Sequence, residues 1–258
     1  MAHLSVTVDS VALGFDTHLE VIFPQDHTGA SVKKVLYLLH GLSDNCTAWL
    51  YKTRIAEYAR INRYIVIMPE VQRSFYSDMT HGSKYFTYVS RELPGICEKI
   101  FNITHTREHT FVAGLSMGGY GAMKCGLARP DFYAACASFS GALDMKTRVE
   151  VARQPGQNRY PEMAAILGEE LAMPDDGDLF YLARETANRP VKPRVLITCG
   201  DADFLLDDNR RFNAHMRALD YDHRYMEWPG DHTWGFWEDC LPLAFDFFEG
   251  RNDTDKLL

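Results

Sequence analysis

Several features are missing from this 258-residue sequence, and each absence removes a class of function. The six cysteines (Cys46, Cys97, Cys125, Cys136, Cys199 and Cys240) contain no C-x-x-C pair and in part sit in apolar segments such as "YAACASF" and "VLITCG". That scatter argues against a disulfide framework or a thiolate metal site and for buried free thiols in a reducing compartment. Basic residues form nothing larger than short pairs such as Lys33-Lys34 and Arg210-Arg211, and 27 Lys and Arg against 35 Asp and Glu leave a formal charge of −8. A surface that tracks nucleic-acid phosphates is therefore not expected. The longest aliphatic run, "VLYLL", is far too short to cross a bilayer, and the opening "MAHLSVTVDS" has neither a basic n-region nor an apolar h-region. The expectation is a cytosolic protein without a membrane partner.

Internal repeats, low-complexity tracts and linker-like stretches are absent too, so a single domain over 1–258 is expected. With 46% hydrophobic and 24% charged residues, the chain has the balance of an ordinary globular protein and the length to bury a sizeable core.

What is present alternates. Short β-rich runs ("LSVTV", "HLEVIF", "KVLYLLH", "YIVIMP", "HTFVAGL", "YAACASFS", "RVLITCG", "HRYMEW") are interleaved with longer amphipathic ones, among them "TAWLYKTRIAEYARI", "YFTYVSRELPGICEKIF", "NRRFNAHMRAL" and a terminal helix near 237–248. The first two runs lie close together, as a hairpin or meander would. Beyond them the alternation predicts an α/β fold: a mostly parallel central sheet with helices on both faces. The segment 145–193 breaks the rhythm with Pro- and Gly-punctuated polar sequence and two short helical stretches. It reads as a small cap-like insertion between strands 6 and 7.

One motif carries chemistry. "TFVAGLSMGGYGAM" places Ser116 at the end of an apolar strand in a G-x-S-x-G pattern, followed by a helix-compatible run. A five-residue match of this kind arises by chance in about one chain in twenty of this length, given average glycine and serine usage. The strand before it and the helix after it are what make it a nucleophile elbow, with small residues two positions either side because the backbone packs closely there. A serine hydroxyl needs a general base and a third group to orient that base, in the chain order Ser, acid, His. "VLITCGDADFLL" offers Asp203 and Asp201 just past a strand, and spacing does not separate them. Of the later histidines, His215 lies in a helix pattern and His223 at a strand start, whereas His232 follows "HRYMEW" on a loop, where a base belongs. Oxyanion NH donors are expected from Met117, the residue after the serine, and from Leu42, after the strand ending in His40-Gly41. His40 itself precedes the elbow and reads as a structural hydrogen-bonding residue.

Taken together, "LYLLHGLSDN" with Trp49, "VIMPE", "FVAGLSMGGYGAMK", "SFSGAL", "CGDADFLL" and "GDHTWGFW" resemble the esterase D-like branch of the α/β-hydrolases, closest to bacterial tributyrin esterases. S-formylglutathione hydrolases and feruloyl or acetylxylan esterases are more distant relatives. The likeness runs from about Lys33 to Phe248. It implies Ser116, Asp203 and His232 as nucleophile, acid and base, with Asp203 preferred to Asp201, and Leu42 and Met117 as oxyanion donors. It also implies hydrolysis of short-chain acyl esters of small alcohols, aryl groups or acetylated sugars. The stretch "SFYSDMTHGSKYFTY" matches a family loop bordering the pocket, which makes Tyr76 and Asp78 candidate wall residues; Trp234 and Phe236 are candidates beside His232. "LSDNCTAW" departs from the Thr-Cys-Thr stretch of the S-formylglutathione hydrolases. Alternatives that use the same triad are a thioesterase of that kind, an acyltransferase or a serine peptidase; a non-catalytic module on the same fold is the remaining rival. No metal or organic cofactor is required, the partner expected is a small-molecule ester, and the insertion is the candidate surface for any homo-oligomer contact.

Overall fold

A run such as "FVAGL" is apolar at every position, and a strand can be so only when both faces of its sheet are covered. The computed structural model describes residues 1–25, 34–154, 156 and 158–251. Lys33, Pro155 and Gln157 of the readings above, and the last seven residues of the expected domain, lie outside them. The eight predicted strands are all present: β1 (Ala2–Ser10), β2 (Phe15–Phe23), β3 (Lys34–Leu39), β4 (Tyr64–Pro69), β5 (Thr110–Leu115), β6 (Ala135–Phe139), β7 (Arg194–Gly200) and β8 (His223–Trp228). They form one sheet in the order β1-β2-β4-β3-β5-β6-β7-β8. β1 pairs antiparallel with β2, and β2 with β4, while every other neighbour is parallel. β4, β5 and β6 are buried throughout, whereas of the edge strands β1 exposes much of its length and β8 is half-buried.

The helices are α1 (Ala48–Lys52), α2 (Ile55–Asn62), α3 (Tyr85–Thr87), α4 (Leu93–Phe101), α5 (Met117–Ala128), α6 (Met145–Ala152), α7 (Tyr160–Leu167), α8 (Leu179–Ala187), α9 (Leu206–Ala218) and α10 (Trp234–Phe248). Two layers of core follow from the two-residue period of the strands. Val35, Tyr37 and Leu39 face one cluster with Tyr120 and Met123 of α5, Leu182 of α8 and Phe212 of α9. Leu36 and Leu38 face the other, with Trp49 of α1, Ile55 of α2 and Trp237 and Phe245 of α10. Among the described residues no helix is long and apolar enough to cross a membrane.

Three details differ from the sequence reading. The single helix expected over 47–61 is broken at Thr53, whose extended backbone ends α1 and whose hydroxyl donates to the Trp49 carbonyl at 2.5 Å. The helix over 85–101 passes through a π-helical turn, Tyr88–Glu92, between α3 and α4. In 145–193, α8 is an ordinary layer helix: Leu182 and Ala183 are core, and the Thr186 hydroxyl donates to the Leu127 carbonyl of α5 at 2.8 Å. Only α6, α7 and the turns around them depart from the strand-helix rhythm.

Candidate active site

β5 ends at Leu115 and α5 begins at Met117, so Ser116 is the whole of the turn between them. Its backbone sits at φ 52° and ψ −115°, a conformation that costs a non-glycine residue about 1–3 kcal/mol and persists only where the surroundings impose it. Here the Ser116 NH donates to the Phe139 carbonyl at 2.9 Å and its carbonyl accepts from the Ala142 NH at 3.1 Å. The end of β6 and the loop that follows it thus hold the turn. Gly114 and Gly118 are needed for close approach: a Cβ on Gly118 would overlap the Leu39 carbonyl, and one on Gly114 would overlap Gly118 itself. Since those atoms are backbone, Gly118→Ala is expected to destabilise the fold by about 1–3 kcal/mol. Read by thermal unfolding, that is a Tm roughly 2–10 °C lower, and an unchanged Tm would refute the packing argument.

Ser116, Asp203 and His232 come together. Ser116 Oγ lies 3.1 Å from His232 Nε2, and His232 Nδ1 lies 2.9 Å from Asp203 Oδ2 and 3.1 Å from Oδ1. An ionised carboxylate only accepts, so Nδ1 carries the proton and the Nε2 lone pair faces the hydroxyl. Asp203 is buried within the loop after β7, and its Oδ1 also accepts from the Leu205 NH at 2.8 Å. Burial by itself would raise this carboxyl, but the hydrogen bonds from His232 and the Leu205 NH outweigh it and hold it below its ordinary value. Asp201 instead accepts from the Gly230 NH at 3.2 Å, bridging the loops after β7 and β8. The other histidines are occupied elsewhere: His215 with the Phe180 carbonyl, His223 with Tyr221 and Asn213, and buried His40 with the Gly41 carbonyl and the Val71 NH. None of the six cysteines competes as a nucleophile, since all are buried and, for example, burial pushes the Cys125 thiol up to about 12.

Ser116 and His232 open into a cleft of about 470 Å³ that Leu42 also lines. Met117 is the first residue of α5, and its NH is among those a helix leaves without an intrahelical acceptor. Trp234 lines the cleft, edge-on to Trp49 at 5.2 Å and to Trp237 at 5.3 Å. Tyr76 and Asp78 do not. Tyr76 is fully buried, its hydroxyl donating to the His40 carbonyl at 3.0 Å and its ring packed against Gly121. Asp78 accepts from the Thr87 NH and hydroxyl and lines a different cavity, with Lys124 and Asp176. Phe236 is core, stacked on Trp228 at 4.4 Å.

The sequence reading missed Phe204, which is largely exposed and packs on the His232 ring at 4.5 Å; Trp237 meets the same ring edge-on at 4.9 Å. An aromatic directly after the acid in "DADF" was its only signal. Lys52, Arg73 and Arg159 also line the cleft and were not anticipated.

With this geometry in place, the comparisons with known proteins are specific. The family model described as "Putative esterase" matches residues 10–248. An acetyl esterase from Caldicellulosiruptor saccharolyticus is 28% identical over 267 residues, covering 98% of this chain and all of that protein. Among solved structures, the substrate-bound fluorophosphonate-binding serine hydrolase FphF of Staphylococcus aureus superimposes with a TM-score of 0.84 at 30% identity, over 96% of this chain and 98% of that one. The S-formylglutathione hydrolase FrmB from the same organism gives 0.83 and 30% over the same shares. The chain belongs to the Putative esterase family and is a carboxylic ester hydrolase of the α/β-hydrolase fold.

Proposed function

We propose that the protein is a serine carboxylesterase that cleaves short-chain acyl esters, of the tributyrin, aryl or acetylated-sugar kind, through an acyl-enzyme on Ser116. The observation that carries this reading is the unbroken hydrogen-bonded line from Ser116 Oγ through His232 to the buried Asp203 carboxylate, at the floor of an open cleft. His232 Nε2 takes the hydroxyl proton as Oγ attacks the ester carbonyl. The NH groups of Leu42 and Met117 receive the charge that develops on the carbonyl oxygen. The tetrahedral intermediate then collapses, His232 returns the proton to the departing alcohol, and the acyl group remains on Ser116. Water, deprotonated by the same imidazole, attacks the acyl-enzyme and releases the acid. Asp203 keeps Nδ1 protonated throughout and stabilises the imidazolium that forms at each stage. A cytosolic setting belongs to the same proposal, supported by six buried free thiols.

A p-nitrophenyl ester series from acetate to laurate tests it. Acetate and butyrate are expected to be cleaved, with kcat/KM falling toward laurate; a wild-type protein inert toward every member would sink the proposal. The 30% identity to FrmB favours one alternative, thioester hydrolysis by the same three residues. Comparing kcat/KM for an acetyl thioester and the matching oxygen ester decides between the two.

A further inference from the structure

The cleft above Ser116 runs against the charge of the chain. The protein carries a net −8, yet Lys52 from α1, Arg73 from the loop after β4 and Arg159 from just before α7 all line this one depression. Their side chains are 49%, 57% and 57% exposed. The carboxylates that meet them are much less exposed than the cations: Asp44, which also lines the cleft and is 10% exposed, lies 3.8 Å from Lys52, and Glu162, 16% exposed, lies 2.6 Å from Arg73 Nε and 3.6 Å from Arg159. Such half-buried acids fix where the cations stand while leaving the ammonium and guanidinium donors presented to solvent. Arg73 is anchored further by donating from Nη1 to the Leu42 carbonyl at 3.3 Å, in the loop assigned to the oxyanion. Lys52 sits over the Trp234 ring, 5.1 Å from its centroid. These contacts join the three cations to the walls of the cleft.

We propose that the cleft selects esters bearing an anionic group, a carboxylate or a phosphate, on the part that projects from the reacting carbonyl toward the mouth, where Lys52, Arg73 and Arg159 receive it. The inference rests on the esterase reading and adds the charge of the substrate to it. Guanidinium forks match the planar geometry of a carboxylate and the oxygens of a phosphate equally well, and a positive mouth raises the local concentration of either anion.

The test compares three acetate esters of similar size: 4-ethylphenyl acetate, 4-acetoxyphenylacetate and 4-acetoxyphenyl phosphate. At low ionic strength the two anionic esters are expected to exceed the neutral one in kcat/KM by about tenfold. That advantage should shrink to near unity in about 0.5 M salt, where exposed charges are screened within a few ångströms. Lys52→Met and Arg159→Gln should each cut the anionic-to-neutral ratio, and the double variant should cut it further. The order of the two anionic esters then tells carboxylate from phosphate. An anionic-to-neutral ratio near one, or one that neither salt nor the substitutions change, overturns the inference while leaving the esterase reading intact. If none of the three esters is cleaved, the esterase reading falls and this inference falls with it.

Discussion

Ser116→Ala is expected to lower kcat on p-nitrophenyl acetate by about 10⁴- to 10⁶-fold, the range seen when the nucleophile of such a triad is removed. The variant deletes one atom, whose hydrogen-bond partner is His232. The turn is held by backbone bonds to Phe139 and Ala142 that an alanine keeps, so the loss should come without a matching loss of stability. Circular dichroism and thermal unfolding close to wild type, together with abolished turnover, would identify the hydroxyl as the reacting group. Activity within tenfold of wild type would remove Ser116 from the mechanism.

Asp203→Asn is the second large effect, about 10⁴-fold in kcat. The carboxylate accepts from His232 Nδ1 and from the Leu205 NH. An amide there retains one acceptor, but its NH₂ can donate to Nδ1 and so select the imidazole tautomer that points a hydrogen, not a lone pair, at Ser116. Asp201→Asn supplies the contrast: it touches the Gly230 NH and not His232, and its kcat should stay within about threefold of wild type, the scale of a surface substitution. Equal losses in the two variants would refute the assignment of the acid. The pH dependence has a definite sign. Because the Asp203 carboxyl is held below its ordinary value, its contribution to stability is fully present above the usual aspartate value of about 4 and is lost only as pH falls through the lowered one. Asp203 thus stays ionised across the neutral range, and the stability of Asp203→Asn should converge on that of wild type only in strongly acidic solution.

How far the sequence could be read depended on whether a residue's environment is decided locally. Strands β3 to β7 were legible because burial on both faces leaves them mostly apolar, with only small hydroxyl residues such as Thr110, Ser138 and Thr198 admitted among the buried positions. The approach of Ser116, Asp203 and His232 was legible because each follows a strand of the parallel part of the sheet, and parallel strands deliver their C-terminal loops to a common edge. Side-chain direction within those loops was not. Tyr76 adopts φ 48°, which turns its ring inward onto Gly121, and nothing in "SFYSD" announces that. Lys52, Arg73 and Arg159 share a cleft although they come from three separate segments, so their charges cluster only once the chain has folded. The break at Thr53 and the π-helical turn at Tyr88–Glu92 are by contrast local: the Thr53 hydroxyl takes the Trp49 carbonyl, and the π turn ends just before Pro94, which has no NH to continue the helical ladder.

The site draws Leu42, Ser116, Asp203 and His232 from loops after β3, β5, β7 and β8, and 116 residues separate the serine from the histidine. On a translating ribosome the two emerge on the order of ten seconds apart, at typical elongation rates. The sheet must then close by adding β8 at its edge, after loop closures far longer than any within a helix. Throughout that interval the elbow serine exists with no base to deprotonate it, and hydrolytic competence waits for β8 and the loop that carries His232.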